Sequence, residues 1–496
     1  MARLMSASAA GIVFLLSGTT AMFADVTAEQ VWEGWSKQYT AYGYQLAVGS
    51  TERVGDTLEL RDIDLMQSAE GSSLTMRIPE LNFTEKGDGT VEVTFSDEIK
   101  ATAETTEEGQ PAMSMDLTIR KSNAQTIVSG TPEAMSYDYN LPEVQIEMDQ
   151  TVAGTEQSVP VKVLFGLTGV TGTYDVTQSD AGQKITSNGK AAGLKLAASG
   201  ADPETNGTFV MEGHLADLAM TSDAMMPADV DMQDLAAALA KGFYASVSAT
   251  HGVADYTLEA TANEGPTNMT GSAQSGSLDF KMSPEGLRYA ASGKQSTLTV
   301  QTAQLPAPMQ ANFEDTTFDF AFPVSKSETA APFVAKIGLI GLTVSEELWA
   351  MFDPTAKLPR DPATLVIDLE GKAKPLIDLF SPEFAQAAAP PVELESLDIK
   401  ALQLTLAGAD LSGNGAMTFD NSMGMPMPIG AIDLKLAGAN KLIDSLVSMG
   451  LVPEDQAMFG RMMLGAYAVA AGDDLLTSKI EFKQGGEILA NGQRIQ

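Results

Sequence analysis

The sequence predicts a mainly β protein, a β-rich α+β chain in which long curved antiparallel meander sheets carry a few short helices packed on them. Three observations predict it. Apolar residues alternate at period two through most of the 496 residues, as half-buried strands require. Gly, Asn, Asp and Pro break the alternation at intervals of roughly 8 to 14 residues, the punctuation of hairpin turns. Only a few short stretches hold a helical period instead.

The first element is a targeting segment. Residues 1–24 read as a secretory signal peptide, with Arg3 as the basic start and Ala9–Gly18 as a short apolar core. Small residues then offer cleavage after Ala24 or Ala21. The segment falls short of the ~20 apolar residues that span a bilayer, and no later stretch approaches that length. The chain is therefore expected to be exported and periplasmic, soluble or peripherally attached to the envelope, with no transmembrane segment once the signal is removed.

One helix follows. Thr27 and Gln30 form a capping box, Val31, Trp32, Trp35 and Tyr39 recur near helical spacing, and Gly43 stands where a left-handed cap belongs. Two of the three tryptophans lie on this helix, which reads as a plug packed on the strands behind it. From Tyr44 the period changes to two. Leu58, Leu60, Ile63 and Leu65 open a meander, and Lys86-Gly87-Asp88-Gly89 is a hairpin turn before Val91, Val93 and Phe95. Further strands run from Met113 to Met220, with a turn expected at Asn188-Gly189.

A second helix is expected to open at Pro227 with Asp229 or Asp231 and to carry Leu235, Ala238, Leu239 and Phe243. Strands resume at Tyr244 and continue to Phe322. Phe333–Leu342 reads as a strand, Val344–Phe352 as a short helix, and Leu376, Ile377, Leu379 and Phe380 as a helix-like stretch. Ala387–Pro391 is the best linker in the chain. Beyond it, strands bracket a helical insert at 438–464, and the chain closes on a hairpin with an Asn491-Gly492 turn. The expected organisation is a signal peptide at 1–24 and a helix plus meander at 25–228. A second helix plus meander with a helical insert follows at 229–390, then a β-helix-β module at 391–496.

The C-terminal half carries a resemblance. Leu358-Pro359-Arg360-Asp361-Pro362, Gly450-Leu451-Val452-Pro453-Glu454-Asp455-Gln456, Arg461-Met462-Met463, Asp473-Asp474-Leu475-Leu476-Thr477 and Leu489-Ala490-Asn491-Gly492-Gln493 together resemble an exported Gram-negative family, domain of unknown function 2125. The resemblance covers most of the mature chain and is best after Phe333. It implies a β-rich envelope protein and brings neither an activity nor catalytic residues.

Composition excludes more chemistry than it assigns. With no Cys, the chain has no disulfide, no thiolate nucleophile and no Cys-ligated zinc. Lys plus Arg number 30 against 65 Asp plus Glu, a formal charge of −35, and the cations are scattered singly. Nucleic acid and anionic headgroups, which need cation-lined surfaces, are unsuited as partners. Only two histidines exist, His214 and His251, so no multi-His metal site can form within one chain. Ser187-Asn188-Gly189-Lys190 matches SxxK but lies among strands. Asp229, Asp231 and Asp234 have loop-like spacing without the glycine and distal acid of a calcium loop; helix capping explains them.

Met423, Met425 and Met427, three thioethers at alternate positions, are the candidate metal ligands, with Cu(I) as the soft ion they would suit. No cofactor is expected. A non-enzymatic scaffold that binds lipid, another apolar ligand or an envelope protein partner is favoured over a hydrolase with a carboxylate or serine site, and over a soft-metal or calcium carrier. An outer-membrane barrel is set aside because aromatic residues are only 6%, too few for two interfacial girdles.

Overall fold

The structure is a computed structural model that describes residues 25–41, 43–69, 71–106, 112–152, 161–202, 207–232, 234–262, 264–387, 391–422 and 425–495. The expected signal peptide lies outside the described residues. Strand takes 66% of the described residues and helix 12%, so the protein is mainly β, as the alternation predicts. Registered strand pairs are antiparallel. No helix among the described residues is long and apolar enough to cross a membrane.

Two compact units divide the chain: Met1–Ala228 with Ala249–Ser272 and Gln301–Gln304, and Asp229–Ser248 with Ala273–Val300 and Leu305–Gln496.

The first unit begins with α1 (Ala28–Ala41). Its capping box forms as the sequence requires: Thr27 N donates to Gln30 Oε1 at 2.9 Å and Gln30 N donates to Thr27 Oγ1 at 3.3 Å. Gly43 ends the turn at φ +83°, a conformation that costs glycine least. The strands are β1 (Gln45–Val54), β2 (Thr57–Ala69), β3 (Ser72–Glu85), β4 (Val91–Phe95), β5 (Glu98–Thr105), β6 (Met113–Ser122) and β7 (Gln125–Thr131). Four longer ones follow: β8 (Ala134–Val152), β9 (Val161–Ser179), β10 (Gly182–Asp202) and β11 (Gly207–Pro227).

The helix is a plug. Val31 and Trp35 are buried against Leu58, Leu60, Ile63 and Phe83. Trp35 meets Phe83 edge-on, with ring centroids 5.5 Å apart, and its Nε1–H donates to the Tyr137 hydroxyl at 3.1 Å. Burial pushes the Tyr137 hydroxyl up to about 12 although the Trp35 bond pulls the other way, so it stays a neutral acceptor. Each fully buried side chain of this size contributes about 1.5–3 kcal/mol, and this cluster is the main core of the unit.

β8 to β11 run 19, 19, 21 and 21 residues, longer than the expected punctuation allows. Asn188-Gly189 is no turn. It lies inside β10, paired with Thr173 and Gly172 on one side and Thr221 and Met220 on the other.

The second helix is shorter than its sequence pattern. β11 continues through Pro227, and α2 is only Leu235–Ala240. Asp234, rather than Asp229 or Asp231, caps it by accepting from Ala237 N at 3.0 Å. After β12 (Tyr244–His251), strands β13 (Ala254–Ala262) and β14 (Gly265–Ala273) fall mostly in the first unit.

The remaining elements build the second unit: β15 (Ser275–Ser283), β16 (Gly286–Thr302), β17 (Met309–Phe322), β18 (Ala331–Val344), α3 (Glu346–Phe352), β19 (Ala363–Pro375), α4 (Pro382–Gln386), β20 (Val392–Leu406), β21 (Ala409–Asp420) and β22 (Met427–Ala437). Two helices, α5 (Ala439–Ser448) and α6 (Glu454–Tyr467), fill the insert that the sequence presents as one. Gly450 at φ +74° separates them. The chain ends with β23 (Val469–Gly472), β24 (Leu475–Phe482), β25 (Ile488–Ala490) and β26 (Gln493–Arg494), the last pair joined through Asn491 and Gly492, both at positive φ. The expected helix over Leu376–Phe380 is displaced. The helical turn starts at Ser381-Pro382, and Leu379 and Phe380 instead pack on the small core of Ala238, Leu239, Phe243 and Val324.

Candidate functional site: an open apolar sheet face

In an antiparallel ladder, directly paired residues point to the same face, so register alone assigns the two faces of β16 to β24. One face is predominantly apolar, broken by Thr316 opposite Leu339 and Ser478 opposite Leu434. Leu339, Leu365, Leu404, Leu411, Leu436 and Leu476 form an unbroken line of leucines across six strands. The next row carries Phe318, Ile337, Ile367, Leu402 and Leu434, and the one beyond it Phe320, Leu369, Ile399, Ile432 and Ile480. A β-bulge between Asp368 and Leu369 takes up Lys400 and keeps Ile399 and Leu402 on this side.

The opposite face is laced with charge. Arg288 donates twice to Asp319 at 2.9 Å, Lys294 Nζ reaches Asp315 at 2.8 Å and Lys336 Nζ reaches Asp368 at 2.8 Å. The hydrogen bond to Asp368 raises the Lys336 ammonium above its ordinary range, and that to Asp319 does the same for Arg288. That side is a solvated surface. The apolar side is only partly covered: none of the six leucines is among the buried residues, five are half-buried, and Leu404 is 42% exposed. Phe318 and Phe322 are 37% and 39% exposed. Contiguous apolar area left open on this scale marks an interaction surface.

The expected site residues do not converge on this face. Met423 lies outside the described residues. Met425 is exposed at a bend, and Met427 begins β22 opposite Asp420. His214 Nδ1 sits 3.0 Å from Asp255 Oδ2, its cross-strand partner, and His251 Nδ1 sits 2.8 Å from the Gly252 carbonyl oxygen. Ser187 shares a hydrogen bond of 2.7 Å with Ser222 inside the sheet. Among the described residues, no group of three or more His, Cys, Asp or Glu could hold a metal ion.

One polar cluster escaped the sequence reading. Asp353 is buried behind α3, where its carboxylate accepts from Lys357 N and Leu358 N, each at 2.9 Å, and from Arg360 Nη1 at 2.6 Å. The Arg360 guanidinium lies 4.2 Å over the Trp349 ring. Every donor closes the α3–β19 loop on itself, so the cluster is a staple. Asp353-Pro354 gives a sequence-level sign of a stop after the helix, and only the fold shows that the carboxylate turns inward.

A family model described as an uncharacterised protein conserved in bacteria (DUF2125) matches residues 245–490. The match begins well before Phe333 and leaves most of the first unit outside it. No curated protein matches the chain.

Proposed function

Because the chain belongs over residues 245–490 to that uncharacterised bacterial family, we propose a function from the geometry: it is an exported, non-enzymatic envelope protein whose second unit receives lipid acyl chains on the apolar sheet face. The leucine line carries the reading. Five strand spacings of ~4.8 Å give it a length of about 24 Å, more than the ~15 Å that one leaflet of acyl chains occupies. The three rows hold no Asp, Glu, Lys, Arg or His, and their one serine, Ser478, is engaged in donating to Tyr467 O at 2.6 Å, while the charged face opposite keeps the sheet in water.

The test is native mass spectrometry with lipid extraction of the protein purified from the envelope of a Gram-negative host. Bound lipid is expected on the wild type and lost in Leu404→Asp, which places a carboxylate in the leucine line at an already exposed position. A delipidated wild type that takes up no fluorescent fatty acid would overturn the reading, and stoichiometric co-purification of a protein without lipid would replace it with a protein partner.

A further inference from the structure

A second apolar surface lies at one end of the same unit. Register places the ends of β18, β20 and β22 and the starts of β19, β21 and β24 together: Leu342 pairs with Ala363, Leu406 with Ala409, and Ala437 with both Asp410 and Leu475. Helices α3, α5 and α6 grow from this end, and Lys357 Nζ ties the α3 loop to the last turn of α5 by donating to Ser448 O at 2.7 Å.

On α6 the apolar residues face outward. Met458, Phe459 and Met462 are 67%, 59% and 59% exposed, and Met463 and Tyr467 extend the stripe at the i, i+4 spacing that stacks side chains on one helix face. Ala457 is the residue the helix buries. Met351 and Phe352 on α3 and Leu451 before α6 stand open at the same end.

We propose that this helical tip is the surface by which the unit seats on a zwitterionic lipid bilayer, an inference that rests on the acyl-binding reading above. Two observations select that occupant. The first is continuity. Leu404 and Leu411 lie two residues from the strand ends at Leu406 and Ala409, and Leu436 and Leu476 lie one residue from Ala437 and Leu475. The leucine line therefore starts within ~7 Å of the end that carries the helices, so a chain leaving a bilayer under the tip meets the sheet face directly.

The second is charge. Glu454 and Asp455 open α6, Glu346 and Glu347 open α3, and Arg461 on the stripe is paired with Asp444. An acidic rim of four carboxylates, which outnumber the exposed Lys441 beside the engaged Lys357 and Arg461, repels anionic headgroups, whereas the Met and Phe side chains insert as an interfacial helix face does.

Flotation of the full chain with vesicles of phosphatidylcholine and phosphatidylethanolamine tests this. Wild type is expected to float, and the combined Met458→Ser, Phe459→Ser, Met462→Ser chain to bind at least ~10-fold more weakly while taking up fluorescent fatty acid as wild type does. Leu404→Asp should show the reverse pattern, floating without taking up fatty acid. A Met458→Cys chain labelled there with a polarity-sensitive dye gives an independent readout, a blue shift on vesicles.

Wild-type behaviour of the triple variant, or no dye shift, overturns the proposal and leaves the acyl-binding reading standing. Stronger flotation with phosphatidylglycerol vesicles also overturns it. So does a wild type that self-associates in solution through the stripe, shown by a monomeric triple variant, because a second copy would then cover it. A wild type that binds neither vesicles nor fatty acid ends both readings.

Discussion

Asp353 has its whole side chain out of water, yet its carboxyl is held below the ordinary 3.8. Burial alone would raise it; the Leu358 and Lys357 amides and the Arg360 guanidinium more than reverse that effect. A carboxylate with a depressed folded value contributes stability that is present above its unfolded value and lost as pH falls through the folded one. The contribution of Asp353 should therefore be full at neutral pH and disappear only below about pH 3.8. Asp353→Asn keeps the shape but loses the charge-assisted acceptor. Its melting temperature is expected to lie several degrees below wild type at pH 7, through the lost charge-assisted bonding, and to converge with wild type in acid. A gap that stays constant down to pH 3 would show that the charge of Asp353 contributes nothing.

At the scale of elements, the cap of α1 and the tight hairpins are legible because their chemistry is local, whereas the cap of α2 falls on Asp234 and not on the Asp229 or Asp231 that the sequence offers. Thr27 with Gln30, Lys86 to Gly89 and Asn491-Gly492 each fix a short stretch by hydrogen bonding or backbone freedom alone, and each appears as read. Asn188-Gly189 misled because a glycine inside a sheet looks like a glycine in a turn. Its reason is a cross-strand partner far away in sequence. A side chain at Gly189 would meet the Tyr139 hydroxyl at 2.6 Å, and Gly172, paired with both Tyr139 and Gly189, lies under the same ring.

The device recurs with Phe209 over Gly200, Tyr256 over Gly271 and Phe333 over Gly371. An aromatic ring covers a bare glycine on a neighbouring strand, which supplies the contact area the glycine lacks. Periodicity in one strand cannot reveal this, so the sequence pattern places a turn at Asn188-Gly189 inside the 21-residue β10. Gly189→Val should displace Tyr139 and destabilise the first unit by about 1–3 kcal/mol, measured as a lower urea midpoint of Trp32 and Trp35 fluorescence. The same change at Gly55, where a side chain would meet nothing but a φ of +62° forbids it, acts through backbone strain instead.

For the whole molecule, alternation made the mainly β class and the existence of an apolar face legible, while which face stays open depends on what packs against it. In the first unit α1 and a cluster that includes Phe83, Leu60 and Ile63 close the sheet. In the second, the buried cluster is Ala238, Leu239, Phe243 and Val324, and among the described residues none of the six leucines belongs to a buried cluster. A unit whose apolar face awaits a ligand should gain stability from that ligand, because whatever binds only the folded form stabilises it by mass action. The tryptophans separate the two units: Trp32 and Trp35 report the first and Trp349 the second. Titrating a long-chain fatty acid to about 100 times its dissociation constant should stabilise the Trp349-reported transition by about 2.7 kcal/mol, and leave the Trp32 and Trp35 transition near its starting midpoint. Leu404→Asp should remove the shift at Trp349. Equal shifts in both transitions, or none at Trp349, would place the acyl chains elsewhere than on the leucine line.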